Sequence, residues 1–300
     1  MIKMKNMTTP LPILPMSESE KTELFYQIAE KHQFSFREYK RLTGGDINEV
    51  FLLKGQDSLV LKLNDAQAFP GMFEAESRGL HSLKSTEAID VPAPIATGTL
   101  GKYSYLLVEY RETAPKSSNF WTIFGEQLAR LHRNTSKNFG FEDDNYIGSL
   151  PQHNDFRKNC ADFYLDMRLV PQIDLAEKQG FYLPISEAFY KNCRQLLPDE
   201  PPALIHGDLW NGNFLVNAAG QPCLIDPATA YAPREMDLAM MQLFGGFSPE
   251  LFNVYLEEFP LPEGWKQRIP LCQLYYLLVH LNIFGSSYLG QVTSIIKSFS

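Results

Sequence analysis

Residues 204–226 read LIHGDLWNGNFLVNAAGQPCLID, which sets Asp208, Asn213 and Asp226 around a short predicted hairpin. Phosphoryl transfer asks a protein for little covalent help; it needs positioning and neutralisation of charge on a triphosphate. A carboxylate can take the proton of an attacking hydroxyl. An amide oxygen and a second carboxylate supply the hard oxygen donors that Mg2+ prefers. On that chemistry Asp208 is the candidate base, and Asn213 and Asp226 are the candidate metal ligands. The competing reading is an ordinary strand, turn and strand in which Asp and Asn only shape turns.

Two short apolar strands, 214–217 and 222–225, are joined by Ala218-Ala219-Gly220-Gln221, a connection that folds Asp226 back beside Asn213. The spacing from His206-Gly207-Asp208 to Asn213 matches the H-R-D-x-x-x-x-N loop of protein kinases, with glycine in place of arginine. Pro227-Ala228 follows Asp226 where those enzymes have Phe-Gly, and Arg234 opens a predicted helix eight residues later. No room remains for a long activation segment or a peptide platform. The expected acceptor is a small molecule, or a small adduct projecting from a protein.

A bound triphosphate also needs backbone donors and a fixed cation. Gly44-Gly45, between strand signals, would let N–H groups approach phosphate, although an ordinary hairpin turn is the more common cause of two such glycines. Lys62 sits in Leu59-Val60-Leu61-Lys62-Leu63, a run apolar enough for a strand buried on both faces. A lone lysine there is expensive unless paired. Its expected partners are the nucleotide phosphates and a helix glutamate, with Glu76 preferred over Glu74. An edge-strand lysine snorkelling to water is the alternative.

The 300 residues are 44% hydrophobic and 13% aromatic, enough for a sizeable core in one large or two moderate domains. A net charge of −8 argues against a nucleic-acid partner while leaving room for local cations around a nucleotide. Four widely spaced cysteines without a C-x-x-C pair fit reduced cytosolic thiols better than disulfides or zinc. The N-terminal apolar stretch is interrupted by Pro10, Pro12 and Pro15, so it lacks the ~7–15 uninterrupted apolar residues of a secretion signal. No window reaches the ~18 apolar residues of a membrane span, and 271–285 reads as a buried helix. A cytoplasmic protein without membrane or nucleic-acid partners is expected.

Along the chain, Ser17 to Glu20 resembles a capping box ahead of a stripe of Leu24, Phe25, Ile28 and Ala29. Strand signals follow from Tyr39, around Gly44-Gly45, and at 50–53, 59–63 and 105–109, with a helix over 73–83. Beyond Tyr110, helical patterns recur at 120–132, 156–170, 186–197, 234–244, 249–258 and 267–284. The expected fold is α+β and bilobal, of the protein-kinase-like kind. Residues 1–110 would form a small antiparallel-sheet lobe with one main helix that clamps ATP, the first 16 residues flexible. Residues 111–300 would form a larger, mostly helical lobe for catalysis and acceptor binding, with the nucleotide between the two.

The same residues resemble the fructosamine kinase (ketosamine 3-kinase) family, within the aminoglycoside-phosphotransferase-like group. Matching segments are Gly44-Gly45-Asp46-Ile47-Asn48, Phe73-Glu74-Ala75-Glu76 with Gly79-Leu80, and Asp144-Asn145-Tyr146-Ile147-Gly148-Ser149-Leu150-Pro151-Gln152. They continue with His206-Gly207-Asp208-Leu209-Trp210 and Gly212-Asn213, Asp226-Pro227-Ala228, and Arg234-Glu235 with Asp237-Leu238-Ala239-Met240. Leu243-Phe244-Gly245-Gly246-Phe247 and His280-Leu281-Asn282 with Phe284-Gly285 complete the set. The resemblance implies transfer of the ATP γ-phosphate to the 3-hydroxyl of a ketosamine, the Amadori product of a sugar and an amine. The unstable 3-phosphate would then fall off and regenerate the amine.

It further implies Asp208 as base, Asn213 and Asp226 on Mg2+, Lys62 with Glu76 on the phosphates, and Glu109, Tyr110 and Arg111 at the adenine hinge. Trp210 would pack on the sugar or equally serve as plain core, with Asn145, Tyr146 and Arg234 on the acceptor side. Asp237 is expected as a buried carboxylate that holds the backbone amides of the catalytic loop. Two departures stand out: Ala232-Pro233 replaces the Gly-Asp usual in the family, close to the expected acceptor side, which bears on acceptor preference, and Val279 stands beside His280 where asparagine commonly comes a few positions before the Leu-Asn segment. Alternative readings are a kinase of another small alcohol, such as an aminoglycoside or choline, and a catalytically silent nucleotide-binding relative.

Overall fold

The computed structural model describes residues 16–42 and 47–300. Gly44 and Gly45 of the expected phosphate loop, and the start of the chain expected to be flexible, lie outside the described residues, Met16 apart. The chain groups into two compact units: Met1–Ser77 with Pro94–Tyr110, and Arg78–Ala93 with Arg111–Ser300.

In the first unit, helix α1 (Glu18–Lys31) opens on a capping box. The Glu20 N–H donates to Ser17 Oγ at 3.3 Å, and the Ser17 N–H donates back to the Glu20 carboxylate at 2.8 Å. Strands β1 (Glu38–Arg41), β2 (Glu49–Lys54), β3 (Leu59–Asp65), β4 (Pro94–Leu100) and β5 (Tyr103–Glu109) form one antiparallel sheet in the order β1-β2-β3-β5-β4. Side chains alternate across it: Phe51, Leu61 and Leu107 share a register row and pack with Phe25 and Ile28 of α1 in a buried cluster. Val50, Lys62 and Leu106 form the next row and face the other way. Because β3 is the middle strand, Lys62 cannot be an edge lysine that snorkels to water. Helix α2 (Met72–Ser85) follows β3.

The second unit begins with α3 (Phe120–His132), then a tight hairpin of β6 (Asn145–Ile147) and β7 (Leu150–Gln152). Next come α4 (Cys160–Phe163), a π-helical turn at Tyr164–Leu169, α5 (Val170–Lys178) and α6 (Glu187–Leu196). Strand β8 (Ala203–Ile205) pairs with β11 (Ala230–Ala232), and β9 (Phe214–Val216) pairs with β10 (Pro222–Leu224). Helices α7 (Glu235–Phe244), α8 (Pro249–Glu258) and α9 (Trp265–Phe284), a 3-10 turn at Ser286–Tyr288, and α10 (Leu289–Ser298) complete the chain. Helix α9 packs against α5, α7 and α10 and is buried on most of its circumference from Ile269 to Asn282, so its sequence carries no polar stripe.

The helices expected at 120–132 and 249–258 form over those residues. The one expected at 156–170 starts only at Cys160, where the Asn159 side chain accepts from the Asp162 N–H at 2.8 Å. It then runs through the π turn to Lys178; Pro171 lies inside this continuous helix just after the π turn, where the i to i−4 ladder is already shifted by the Val170 N–H bonding Leu165 O. All four cysteines are buried free thiols. Among the described residues, no helix is long and apolar enough to cross a membrane.

Candidate active site

The loop between β8 and β9 carries Asp208 and Asn213. Gly207 makes its bend in the left-handed region at φ +86°, and a Cβ there would fall 2.1 Å from the Ala228 carbonyl oxygen. That is the physical reason arginine gives way to glycine: no side chain fits, and the backbone is one that L-residues avoid. The Asn213 amide donates through Nδ2 to the Asp208 carbonyl at 2.8 Å and to the Asp208 carboxylate at 3.0 Å. With its NH2 group so used, Oδ1 is the atom of Asn213 suited to a cation. Burial pushes the Asp208 carboxyl well above the usual carboxylate range, and the charges of Asp226 and Asp237 add to that, while the Asn213 hydrogen bond opposes it.

Asp226 leaves the β9–β10 hairpin at φ +56°, one of three non-glycine residues with positive φ among the described residues. Such a backbone costs about 1–3 kcal/mol and persists where neighbours enforce it. Here they do: the Ile225 N–H donates to Asn213 O at 3.0 Å, and the Ala228 N–H donates to His206 O at 2.9 Å. The hairpin exit is thereby tied to both ends of the catalytic loop.

Beneath the loop lies a buried polar network. Asp237, in the first turn of α7, accepts the backbone N–H groups of His206 and Gly207, each at 2.8 Å, as expected. His132 Nε2 donates to the same carboxylate at 3.1 Å, and its Nδ1 is hydrogen-bonded with the Tyr255 hydroxyl at 2.8 Å. Burial works against the charge on Asp237, but the hydrogen bond and charge of His132 and the Gly207 amide prevail and hold its carboxyl below the ordinary range. Burial lowers the pKa of His206, leaving a neutral ring. Its Nε2–H donates to Ile225 O at 2.8 Å and its Nδ1 faces the Asp208 N–H at 3.3 Å. The Tyr276 hydroxyl donates to Gly207 O at 3.0 Å.

In the first unit, the Lys62 ammonium donates to Glu76 at 2.6 Å, and both side chains are largely buried, at 7% and 11% exposure. Glu76, not Glu74, is therefore the glutamate that Lys62 reaches. Glu109 ends β5 opposite Leu59, and the Tyr110 N–H donates to Ser58 O at 3.4 Å.

Three expected positions come out differently. Arg234 is not offered to an acceptor: it is 3% exposed and all five of its N–H donors are taken. Glu200 receives two of them at 2.6 and 3.3 Å, and the Tyr255 hydroxyl and the Phe259 and Pro260 carbonyls receive the others. Asn145 is buried and braces the chain after Asp226, donating to Thr229 O at 2.9 Å and accepting from Gln152 Nε2 at 2.7 Å. Arg111 directs its guanidinium to Asp90 at 2.8 Å, and that aspartate also accepts from Asn217 in the hairpin turn at 2.9 Å. Tyr146 is partly exposed, and burial raises its phenol. Trp210 is 39% exposed with its ring laid over Gly212.

Sequence reading misses His132 and Tyr276, and names Gln152 only within a matching segment, without a role. Gln152 closes the network: it donates to Ala228 O at 3.2 Å and accepts from the Tyr275 hydroxyl at 2.5 Å. The one signal that could find such residues is a polar side chain in an otherwise buried helix end, as for His132.

A fructosamine kinase family model matches residues 18–299. A probable ketoamine kinase of Synechocystis sp. is 38% identical over 268 residues, covering 88% of this chain and 90% of that protein. The solved structure of a proposed fructosamine-3-kinase from Haemophilus somnus superposes with a TM-score of 0.83 at 26% identity, covering 92% of this chain and 96% of the other. An aminoglycoside 2'-phosphotransferase solved as its GDP complex shares the fold, with a TM-score of 0.58 at 16% identity over 92% of this chain and 97% of the other.

Proposed function

The chain belongs to the fructosamine kinase family, and we propose that it transfers the γ-phosphoryl group of ATP to the 3-hydroxyl of a ketosamine. The observation that carries this reading is the Asp208–Asn213 clamp on a loop whose backbone is held by Asp237. It fixes one carboxylate in place while burial raises its proton affinity. Asp208 takes the proton of the 3-hydroxyl as that oxygen bonds to the γ-phosphorus, and ADP leaves with the electrons of the broken P–O bond. Lys62, steadied by Glu76, anchors the phosphates. Glu109 and the chain at Tyr110, whose own N–H is held by Ser58 O, form the hinge beside the adenine, and the Trp210 ring packs on the sugar.

The donor set fits Mg2+. Asn213 Oδ1 and the Asp226 carboxylate are hard oxygens. That suits a cation that keeps several waters and takes one or two protein oxygens beside substrate phosphates. When bound, it neutralises charge on the transferring phosphoryl group. A phosphate at C3, next to the C2 carbonyl, becomes a leaving group once the ketosamine enolises toward C1; its elimination leaves an imine at C1, and hydrolysis of that imine by water frees the amine. Deglycation is the implied role of a protein acting in the cytoplasm.

The test is ADP formation from Mg-ATP with ribulose-lysine and fructose-lysine, with 31P NMR of the product. Phosphate on C3 followed by release of lysine supports the reading. Nucleotide binding without phosphorylation of either compound refutes the acceptor class.

A further inference from the structure

Tyr276 and His280 stand about one turn apart on α9, roughly 6 Å along its axis. The Tyr276 hydroxyl donates to Gly207 O beside Asp208, and His280 Nδ1 contacts the Tyr276 carbonyl at 2.8 Å. A carbonyl only accepts, so the ring proton sits on Nδ1 and Nε2 is left as an acceptor. Burial holds the imidazole below its ordinary pKa, so the ring is neutral.

Around this ring stand Phe244, Phe284 and Tyr288, with centroids 4.7, 5.4 and 5.1 Å from that of His280. Phe244 is 39% and Phe284 53% exposed, so aromatic surface gathers here facing water, not core. Gly245 and Gly285 end α7 and α9 in left-handed backbone, and a Cβ at either would meet nothing within 4 Å, which leaves the rim open. On its other flank, a Cβ on Gly246 would fall 2.4 Å from Asn211 Nδ2, so the rim abuts the turn that carries Trp210.

We propose that Phe244, His280, Phe284 and Tyr288 form the subsite for the cationic amine arm of the acceptor, and the proposal rests on the function given above. Ring faces attract a cation, and a neutral imidazole nitrogen accepts an N–H. A secondary alkylammonium, the nitrogen of a ketosamine, satisfies both. A carboxylate or phosphate would meet ring faces and a lone pair of the wrong sign. His280 stands one helical turn from Tyr276, whose hydroxyl reaches the Gly207 carbonyl beside Asp208, so α9 ties the site to the catalytic loop that would hold a hydroxyl two carbons from the amine-bearing carbon.

Calorimetric titration with Mg2+ and a non-hydrolysable ATP analogue tests this without turnover. The probes are fructose-lysine, whose linking nitrogen is a secondary ammonium, and its neutral counterpart acylated on that nitrogen. Phe284→Ala removes an exposed ring and should weaken the cationic probe about tenfold, the size of a cation–π contact, and the neutral probe less than twofold. His280→Gln, which keeps an acceptor, should cost less than His280→Leu. Equal losses for both probes, no loss, or no binding of fructose-lysine to the wild type would overturn the assignment. Selective binding without phosphorylation would sink the proposed reaction and still support this subsite. A dimer dissociated by Phe284→Ala with both affinities intact would give the patch to a second copy and overturn the proposal.

Discussion

The loop that carries Asp208 and the first turn of α7 that carries Asp237 set the same side chain in opposite surroundings. Asp237 is fully buried yet receives two backbone N–H groups and an imidazole, so its charge is solvated by the protein and its carboxyl is held down. Asp208 is desolvated too, receives only one side-chain amide, feels the charges of Asp226 and Asp237, and its carboxyl is pushed up. Burial alone does not separate a structural carboxylate from a reactive one; the count of donors does. The fold gives its donors to the residue that holds the loop and leaves the residue on the loop short of them.

This contrast can be broken first at its stable end. Asp237→Ala leaves two buried backbone N–H groups and His132 without an acceptor, and should destabilise the protein by about 3–5 kcal/mol in a denaturant titration. A smaller loss would mean that water replaces the carboxylate. Gly207→Ala should cost about 3 kcal/mol, because the left-handed backbone and the Ala228 carbonyl both exclude a methyl group. Its folded fraction should also lose turnover through displacement of Asp208.

Lys62→Met sharpens the comparison in the other unit, where a charge is paired and not left short. It should lower kcat/KM for ATP about a hundredfold, some 2.7 kcal/mol, with a folded circular dichroism spectrum. The smallest effect is expected at Arg234. Arg234→Lys breaks the fork to Glu200 and should cost about 1–2 kcal/mol of stability with acceptor KM unchanged. A raised KM with intact stability would return Arg234 to the acceptor site.

What the sequence discloses follows from how locally each feature is determined. The β9–β10 hairpin, α3 and α8 rest on short-range apolar patterns and turns, and are legible in the chain alone. Lys62 is legible because a charge inside an apolar strand needs a partner nearby in the chain. Strands β6 and β7 escape notice, since three-residue strands, one containing Pro151, show no usable alternation. Arg234 is misplaced on the acceptor side because its satisfaction comes from Glu200 and from carbonyls at Phe259 and Pro260, which no local pattern announces. Asn145 and Gln152 brace backbone 84 and 76 residues away, so their motif reveals that they matter without revealing how.

Sign matters in the pH dependence of the two aspartates. Asp237 titrates lower folded than unfolded, so its stabilisation is present at neutral pH and is lost as pH falls through the folded value. Asp208 titrates higher folded than unfolded, so its ionisation at neutral pH opposes the fold. The most direct measurement is therefore Asp208→Asn, assayed for kcat with Mg-ATP and a ketosamine and for thermal stability at about pH 7.5 without Mg2+. The account predicts a fall in kcat of about a thousandfold with a melting temperature equal to or above that of the wild type. Retained turnover, or a melting temperature lowered as far as that of Asp237→Ala, would contradict it.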